Sequence, residues 1–351
     1  MKTRNLICFV FLLLLSGTMA NAENQEEEKG EGREKFEASS FILDHIADSH
    51  EWHLFGEGEK SVALYLPVIL FDKESGIHVF SSRKLAHGHV YEGYRLEEEG
   101  DLKGTIVKVD AAGNVDEENI PMDFSITKTV AAMICAALIG LILFISLARS
   151  YKKTGISHPK GIQGFLEPVV LFIRDDIAVP NLGHKADKFV PYLLTVFTFI
   201  IINNVMGLIP FPPPFGGNVT GNIAVTFVLA TCTFLITQFS ANKNHWRHVF
   251  ATPGVPFWLL PIMIPVEIIG LFSKPFALMI RLFANITAGH IIVLSLICLI
   301  FIFDSIGIAP VSIIFVVFMD CMELLVAFLQ AYIFTLLSAL FISLAVAEEH
   351  H

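Results

Sequence analysis

The stretch PVEIIGLFSKPFALMIRLFANITAGH (residues 265–290) decides how this chain is interpreted, because it places ionisable side chains inside an apolar run that extends from about residue 256 to 303. About 20 consecutive apolar residues are enough to cross a bilayer as a helix. Arg281 and His290 interrupt that run. A charged side chain at the middle of a membrane costs between about 2.5 and more than 10 kcal/mol, so such residues mark functional sites by default.

The composition of the whole chain indicates a polytopic helical membrane protein. The 351 residues are 54% hydrophobic and 17% charged, and the apolar residues are concentrated after residue 125. Several segments there run 18 or more residues with almost no charge, which is typical of membrane-spanning helices. Of the five cysteines, one lies in the first 22 residues and four lie in apolar segments, so no disulfide framework is indicated.

The N-terminal third carries most of the net charge of −10. Residues 1–22 have the features of a secretory signal peptide, with a basic start, an apolar core and an A-x-A cleavage site at residues 20–22. The alternative is an uncleaved first transmembrane helix, but the apolar core is short for that. Residues 23–39 are acidic and are predicted to be a disordered linker.

Residues 40–122 are predicted to form a small extracytoplasmic domain that contains β-structure. Runs of alternating apolar and polar residues, bounded by turn residues, predict short strands at 61–72, 76–82, 89–96 and 105–114. A helix within residues 41–54 is also compatible with the sequence.

Histidines are frequent in this domain. HEWH (50–53) and HGH (87–89) could bind a metal, but no cysteine accompanies them and the chain has no clear HExxH motif. Surface or interface histidines are the favoured interpretation, and no metal site or cofactor is predicted.

Five hydrophobic elements follow the domain, at about residues 126–148, 189–210, 222–240, 256–303 and 310–347. The loop 149–188 carries seven Lys or Arg residues, so the positive-inside rule predicts that it is cytoplasmic. The signal peptide predicts the same topology, because an exported domain requires the first helix to run inward. The C-terminus is then cytoplasmic as well. Within the loop, residues 161–177 are predicted to lie as an amphipathic helix at the membrane interface.

The last two elements are too long for a simple crossing. At 1.5 Å per residue they would measure about 70 and 55 Å, against a hydrocarbon core of about 30 Å. They must be kinked, steeply tilted or partly interfacial, and Pro261, Pro265 and Pro275 offer kinks in the first. The predicted fold is therefore an all-α polytopic membrane protein with about five helical elements, of which the last two form a long, steeply tilted hairpin. A small β-containing extramembrane N-terminal domain precedes the membrane domain at 123–351.

This hairpin contains a set of polar side chains: Glu267, Lys274, Arg281, Asn285, Thr287 and His290 on one arm, and Asp320, Glu323, Gln330 and Tyr332 on the other. In an antiparallel hairpin, facing residues lie equally far in sequence from the turn, here near residue 307. His290 and Glu323 satisfy that condition, and Arg281 and Gln330 nearly do. Structural ion pairs inside the bundle are the alternative to a functional site.

Arg281 lacks a carboxylate at its own depth. Its neighbours one helical turn away are Ala277, Leu278, Ala284 and Asn285, and none of them is anionic. The acid on the same arm, Glu267, lies fourteen residues away, or about 21 Å along a helix. A buried charge must be paired or hydrated, so we infer that the counter-charge comes from another subunit. An arginine keeps its proton in proteins, which makes Arg281 a fixed positive field.

These residues resemble subunit a of F-type (rotary) ATP synthases, the proton-channel subunit of the membrane sector. The matching stretches are the opening stretch 265–290, LQAYIFTLLSALFISLA (329–345), the terminal EEH, NNVMGLIP (203–210) and, more loosely, TGNIAVT (220–226). The resemblance covers about residues 189–350. The domain at 40–122 and the leader are outside the common pattern, and Ala224 stands where members often have Asn.

The resemblance implies roles for six residues in ion translocation. The family's essential arginine is matched by Arg281, its asparagine by Asn285 and its glutamine in the last helix by Gln330. His290 and Glu323 look like the family's acid and imidazole pair in reversed order, and Glu267 matches an acid that lines the cytoplasmic path.

The resemblance also implies the partners. They are the carboxylates of the c-subunit rotor ring, which pass Arg281, together with b-type peripheral stalk subunits and membrane lipid in a bacterial cell (inner) membrane. Ions would enter one half-channel, neutralise a rotor carboxylate and leave through the other, and the rotation would drive ATP synthesis in a separate head. A proton is favoured over sodium, although that choice would lie mainly in the rotor.

Other classes of function explain the sequence less well. A stand-alone ion-coupled secondary transporter tends to show internal repeats, and the halves of this chain show none. A purely structural membrane anchor does not account for Arg281. The chain has no phosphate-binding GxxxxGK[ST] loop, so no nucleotide site, no nucleic-acid binding and no catalytic residue are expected.

Overall fold

The computed structural model describes residues 38–55, 62–98, 100, 102–110, 114–116, 119–154, 161–209, 213–250, 256–303 and 307–347. The predicted signal peptide, the acidic linker as far as residue 37 and the terminal EEH lie outside these residues. The last two residues of the predicted linker belong to the first described helix, which begins at Ala38.

Helices dominate the described part of the chain. They are α1 (Ala38–Ile46), α2 (Lys128–Thr154), α3 (Ile162–Leu171), α4 (Val179–Leu182), α5 (Ala186–Leu208), α6 (Ile223–Ser240), α7 (Lys243–Phe250), α8 (Leu260–Phe303) and α9 (Ala309–Val346). A π-helical turn, Phe172–Ala178, joins α3 to α4.

Five helical stretches in the described residues are long and apolar enough to cross a membrane. Each of the five predicted elements overlaps one of them, and the second extends further toward the N-terminus than expected, over Ile162–Leu208. Many large apolar side chains on these helices are exposed on the protein surface. An α-helix satisfies its own backbone hydrogen bonds, so such surfaces are stable against lipid.

The last two helices form the long hairpin that the sequence predicts. With 44 and 38 residues, α8 and α9 are about 66 and 57 Å long at 1.5 Å per residue. Pro265 and Pro275 lie inside α8, which continues through both. Near the turn, the hydroxyl of Ser312 donates a hydrogen bond to the carbonyl oxygen of Leu296 and so joins the two arms.

The main core lies where α5 and the π-helical turn pack against α9, which also packs against α8. Its most deeply buried side chains are aliphatic: Ile173, Ile177, Leu193, Ile200, Leu278, Leu282 and Ile342.

Residues 161–177, predicted as an interfacial helix, take part in this core. Ile173 and Ile177 are fully buried, and the ring of Phe172 packs on that of Tyr332 with centroids 5.7 Å apart. Arg174 and Asp175 remain half exposed on the other side. The segment is amphipathic, as expected. Protein covers the apolar side chains of its π-helical part, whereas Phe165 and Leu171 in α3 are exposed.

The described residues of the extramembrane domain form three small antiparallel sheets. Its strands are β1 (Glu51–Phe55), β2 (Val62–Tyr65), β3 (Pro67–Asp72), β4 (Gly76–Ser81), β5 (Tyr94–Leu96), β6 (Ile106–Lys108) and β7 (Met122–Asp123). The sheets pair β1 with β2, β5 with β6, and β3 with both β4 and β7.

Several strand predictions need correction. Residues 61–72 form two strands with different partners, because β2 pairs with β1 while β3 pairs with β4. The proposed helix at 41–54 ends at Ile46, and the second half of that segment is β1. The segment 89–96 is extended only in β5, because Glu92 and Gly93 adopt positive φ angles in a tight turn. Of the predicted strand at 105–114, Ile106–Lys108 form β6, and residues 111–113 lie outside the described part of the chain.

A buried carboxylate organises this domain. Asp72 accepts hydrogen bonds from the backbone N–H of Glu74, the hydroxyls of Ser75 and Tyr94, and the ammonium of Lys108, at 2.8–3.1 Å. The backbone N–H of Glu74 and the charged Lys108 hold the pKa of Asp72 well below its usual range. The network therefore fixes β3 to β5 and β6.

Two histidines of the domain pair with acids. Nε2 of His50 lies 2.7 Å from Oδ2 of Asp123, and Nδ1 of His78 lies 2.9 Å from Oε2 of Glu92. Because these imidazoles bind carboxylates, both act as structural links in the domain.

The domain is joined tightly to the start of α2. The carboxylate of Asp48 accepts hydrogen bonds from the hydroxyl of Thr127 and the N–H of Thr129, at 2.7 and 3.0 Å. This is the usual position for an anion at a helix N-terminus. Trp52 packs with Ala132 of α2 and Val219 of the loop before α6.

Candidate functional site

Arg281 lies on the outer surface of the helical bundle. Its side chain is exposed although it belongs to a membrane-spanning helix, α8. Among the residues that the structure describes, none forms an ion pair or a hydrogen bond with it. The structure thus agrees with the inference that its counter-charge does not come from this part of the chain.

The surface around Arg281 is built from small residues. Ala277, Ala284, Asn285 and Ala288 are all exposed on the same side of α8. Small side chains let a second helix approach closely within a membrane. The guanidinium and the Asn285 amide therefore lie on a shallow surface that another membrane helix could contact.

His290 and Glu323 meet between the two arms of the hairpin. Nδ1 of His290 lies 3.0 Å from Oε1 of Glu323, and the carboxylate side chain is almost completely buried. The imidazole and the carboxylate are not oriented as in a hydrogen bond, so Oε1 of Glu323 has no hydrogen-bond partner within the described chain. The facing register predicted from the sequence brings these two residues into contact.

Two glycines make room for this pair. A Cβ on Gly289 would lie 3.0 Å from the carboxyl carbon and Oε1 of Glu323, closer than atoms normally pack. A Cβ on Gly207, near the end of α5, would lie 3.6 Å from Nε2 of His290. The imidazole and the carboxylate are therefore enclosed by backbone, which limits their movement.

Gln330 lies in the same register as Arg281 but on a different surface. Its side chain is buried between helices whereas that of Arg281 is exposed, and no hydrogen bond joins the two side chains. The sequence places them at similar depth, and the structure does not bring them into contact.

Glu267 lies on the other side of Arg281 along α8. Its Oε1 is 4.0 Å from Nδ1 of His248 on α7, and its side chain is 31% exposed. Lys274 stands midway, seven residues from both Glu267 and Arg281. Seven residues amount to nearly two helical turns, so the three charged groups follow one stripe at intervals of about 10.5 Å.

The structure adds two polar residues that the sequence analysis did not single out. Asn204 of α5 is buried, and its amide donates to the carbonyl oxygen of Ala327, one turn after Glu323. Its amide oxygen accepts from the hydroxyl of Thr220 at 2.6 Å. Adjacent Asn203 and Asn204 in an apolar helix were a detectable signal, because intramembrane amides require partners.

The arrangement separates three kinds of chemistry along the hairpin. A titratable pair lies buried on one side of Arg281, a permanent cation is exposed at the middle, and an acid near a histidine lies on the other side. Among the described residues, no group of three or more His, Cys, Asp or Glu side chains is arranged to hold a metal ion. The arrangement is suited to moving protons through groups held at different depths.

Two family profiles match the chain. The ATP synthase A chain family matches residues 130–343, which include the whole hairpin site. A second family, described only as a domain of unknown function, matches residues 41–125.

Curated relatives cover most of the same region. Similar proteins include ATP synthase subunit a of Chloroherpeton thalassium, 46% identical over 267 residues, which are 75% of this chain and 77% of that protein. ATP synthase subunit a 2 of Chlorobaculum tepidum is 50% identical over 233 residues, 64% of each chain. ATP synthase subunit a of an Anaeromyxobacter species is 42% identical over 295 residues, 75% of this chain and 70% of that protein.

Proposed function

The chain belongs to the ATP synthase A chain family, and on that premise we propose that it is the ion-translocating stator subunit whose two half-channels lead protons to the carboxylates of a rotor ring. Membership gives the chain a role in the membrane sector of an ATP synthase, and so in ATP synthesis and proton transport. The finer mechanism rests on the geometry of the hairpin.

The observation that carries the proposal is the exposed guanidinium of Arg281 on a membrane-spanning helix. A charge in that position needs a partner, and the small side chains beside it leave space for a helix of another subunit. A fixed cation favours the ionised form of a nearby carboxylate and promotes release of its proton. The c-subunit carboxylate is the partner that this chemistry requires, and each one would lose its proton as it passes Arg281.

His290 and Glu323 are proposed to serve the outer half-channel. They are the only facing acid and imidazole at contact distance between α8 and α9 in the described residues. A buried carboxylate beside an imidazole can pass a proton without leaving a permanent charge in the bundle. Asn204 and Thr220 hold the neighbouring backbone of α9 in place.

Glu267 is proposed to line the cytoplasmic half-channel, with Asn285 and Gln330 near the crossing point. Protons that leave the ring would reach Glu267 along the stripe of α8. The basic loop between α2 and α5 supports the assignment of this side as cytoplasmic. The domain at 40–122 would then lie outside the cytoplasm, and the proposed membrane is a bacterial inner membrane. Binding to b-type peripheral stalk subunits completes the proposed stator.

Purification separates this proposal from a stand-alone ion-coupled transporter. The chain, extracted under mild conditions, should be isolated together with a ring of small helical subunits and the stalk. The variant Asn285→Cys, one helical turn from Arg281, should form a disulfide with a cysteine placed beside the rotor carboxylate. Isolation of a solitary chain that moves a small solute would favour the transporter.

A further inference from the structure

A small cavity with both apolar and polar lining residues lies on the Glu267 side of Arg281, among α6, α7, α8 and α9. Its volume is about 20 Å³, and its polar lining consists of Thr233, Thr237, Gln238, His245 and Lys274. A single water molecule needs roughly 10–15 Å³ measured in this way. The cavity is thus large enough for one water and too small for an organic ligand.

Two polar atoms in the lining are buried without a partner. Oε1 of Gln238 and Nε2 of His245 have no hydrogen-bond partner among the residues that the structure describes. Leaving such atoms unsatisfied is unfavourable. The hydroxyls of Thr233 and Thr237 donate to backbone carbonyls one turn earlier in α6, so they do not donate to Oε1 of Gln238.

His245 is held over the cavity by the end of α9. The backbone N–H of Asn242 donates to the carbonyl oxygen of Ala345, and its side-chain amide donates to that of Val346, at 2.9 and 2.7 Å. The carbonyl oxygen of Asn242 in turn accepts from the backbone N–H of His245. These bonds fix the backbone of His245 against the end of α9 and so place its imidazole at the cavity.

The charged groups around His245 favour its neutral form. Burial lowers the pKa of its imidazole, the positive charges of Lys274 and His248 lower it further, and Glu267 partly opposes them. The cavity lining from α6 and α9 contains no charged side chain. A neutral imidazole accepts a proton at one ring nitrogen, and the lowered pKa means that His245 releases a bound proton readily.

We propose that Gln238 and His245 bind one water molecule in this cavity, and that the water and the imidazole relay protons between the depth of Lys274 and Glu267. The inference rests on the proposed function and adds two residues to its cytoplasmic half-channel. The water passes one proton to Nε2 of His245 as it receives the proton that a rotor carboxylate has released beside Arg281. The imidazolium then releases a proton toward His248 and Glu267, and no other bond changes.

Proton flux through the membrane sector tests this relay. The complex is reconstituted in liposomes, and its soluble head is then removed. A potassium diffusion potential drives protons through the membrane sector, and a pH-sensitive dye measures their flux. Gln238→Leu removes the acceptor at similar volume, and His245→Phe removes the base but keeps the ring. Each should lower the flux about tenfold or more. Ser273→Ala is the control, because Ser273 bonds only to its own helix at Gly270 and lies beside Lys274 outside the polar lining.

The pH profile distinguishes a relay from a structural role. In the wild type, flux should fall as the cytoplasmic-side pH drops through the lowered pKa of His245, because the protonated ring no longer accepts. His245→Gln retains hydrogen bonding and assembly but should lose this inflection. If both Gln238→Leu and His245→Phe conduct like the wild type while Arg281→Ala abolishes synthesis, the relay is wrong and the proposed function stands. If Arg281→Ala also has no effect, the proposed function itself fails.

Discussion

Nδ1 of His290 lies 3.0 Å from Oε1 of Glu323, and this contact joins the two longest helices of the chain at a buried position. It is close to Gly289, whose Cα faces the carboxylate without a side chain between them. The pair therefore depends on backbone space as well as on its own chemistry, and that dependence can be tested.

Replacing Gly289 by alanine should displace Glu323. The new methyl would lie 3.0 Å from the carboxyl carbon, so the acid must shift by a few tenths of an ångström from its contact with His290. We expect proton-driven ATP synthesis to fall about tenfold or more, since loss of a positioned proton-transfer group has at least that effect. Gly270→Ala is the matched control on the same helix, because its Cβ would meet no atom within 4 Å. Equal activities for the two variants would show that the space beside Glu323 is unimportant.

Exchanging the two members of the pair should preserve part of the function. The double variant His290→Glu with Glu323→His retains one acid and one imidazole at the same contact. Either single replacement leaves two acids or two imidazoles together, which repel when charged. The rate of proton-driven ATP synthesis in membranes should be higher in the double variant than in both singles. A double variant no better than the worse single would contradict a functional pairing.

Removing the Asn204 amide should destabilise the outer end of the site. Asn204→Leu leaves the Thr220 hydroxyl without its acceptor, at about 1–3 kcal/mol for a buried group left unpaired. It also removes the bond to the Ala327 carbonyl, which keeps the backbone bond of its own helix. Thr220→Val removes only one of the two bonds and should have the smaller effect. Thermal unfolding of the purified complex measures both. Thr195→Val is the control, because Thr195 is exposed and bonds only to its own helix, and an equal loss there would contradict the assignment.

The network of Asp72 predicts the pH dependence of the N-terminal β-containing domain. Because the pKa of Asp72 is lower in the folded domain than in the unfolded chain, the ionised carboxylate stabilises the fold above its unfolded pKa of about 4. That stabilisation is lost as the pH falls through the lower, folded value. Asp72→Asn should therefore speed amide hydrogen exchange in β3 and β6 at neutral pH. The difference from the wild type should shrink progressively below about pH 4; a constant difference would mean that charge is not the cause.

The membrane part of the fold was predictable from two signals, the long apolar runs and the short turn between the last two of them. Long apolar runs predict spanning helices, and α2, α5, α6, α8 and α9 lie where the sequence places them. The contact of His290 with Glu323 was also predictable, because the short turn between α8 and α9 leaves little freedom in how the two helices face each other.

Other features depend on tertiary packing that no local pattern reveals. The apolar residues Ile173 and Ile177 predict an amphipathic helix, but whether protein or lipid covers them depends on distant residues of α9. The break at Leu66, which divides one predicted strand into β2 and β3, depends on which partners lie on each side. The polar cavity at Gln238 and His245 combines residues from four helices that are separated by as many as 111 positions in sequence, so periodicity gives no sign of it.

Arg281 is the residue on which the account depends, and its substitution by alanine is the most direct measurement. The complex that contains Arg281→Ala should assemble with its ring and stalk in normal amounts, because the guanidinium makes no bond within the described chain. Proton-driven ATP synthesis in its membranes should be abolished, and Arg281→Lys should also be poor because a lysine is a point charge that can lose its proton when buried. A fully assembled Arg281→Ala complex that synthesises ATP at the wild-type rate would contradict the central claim.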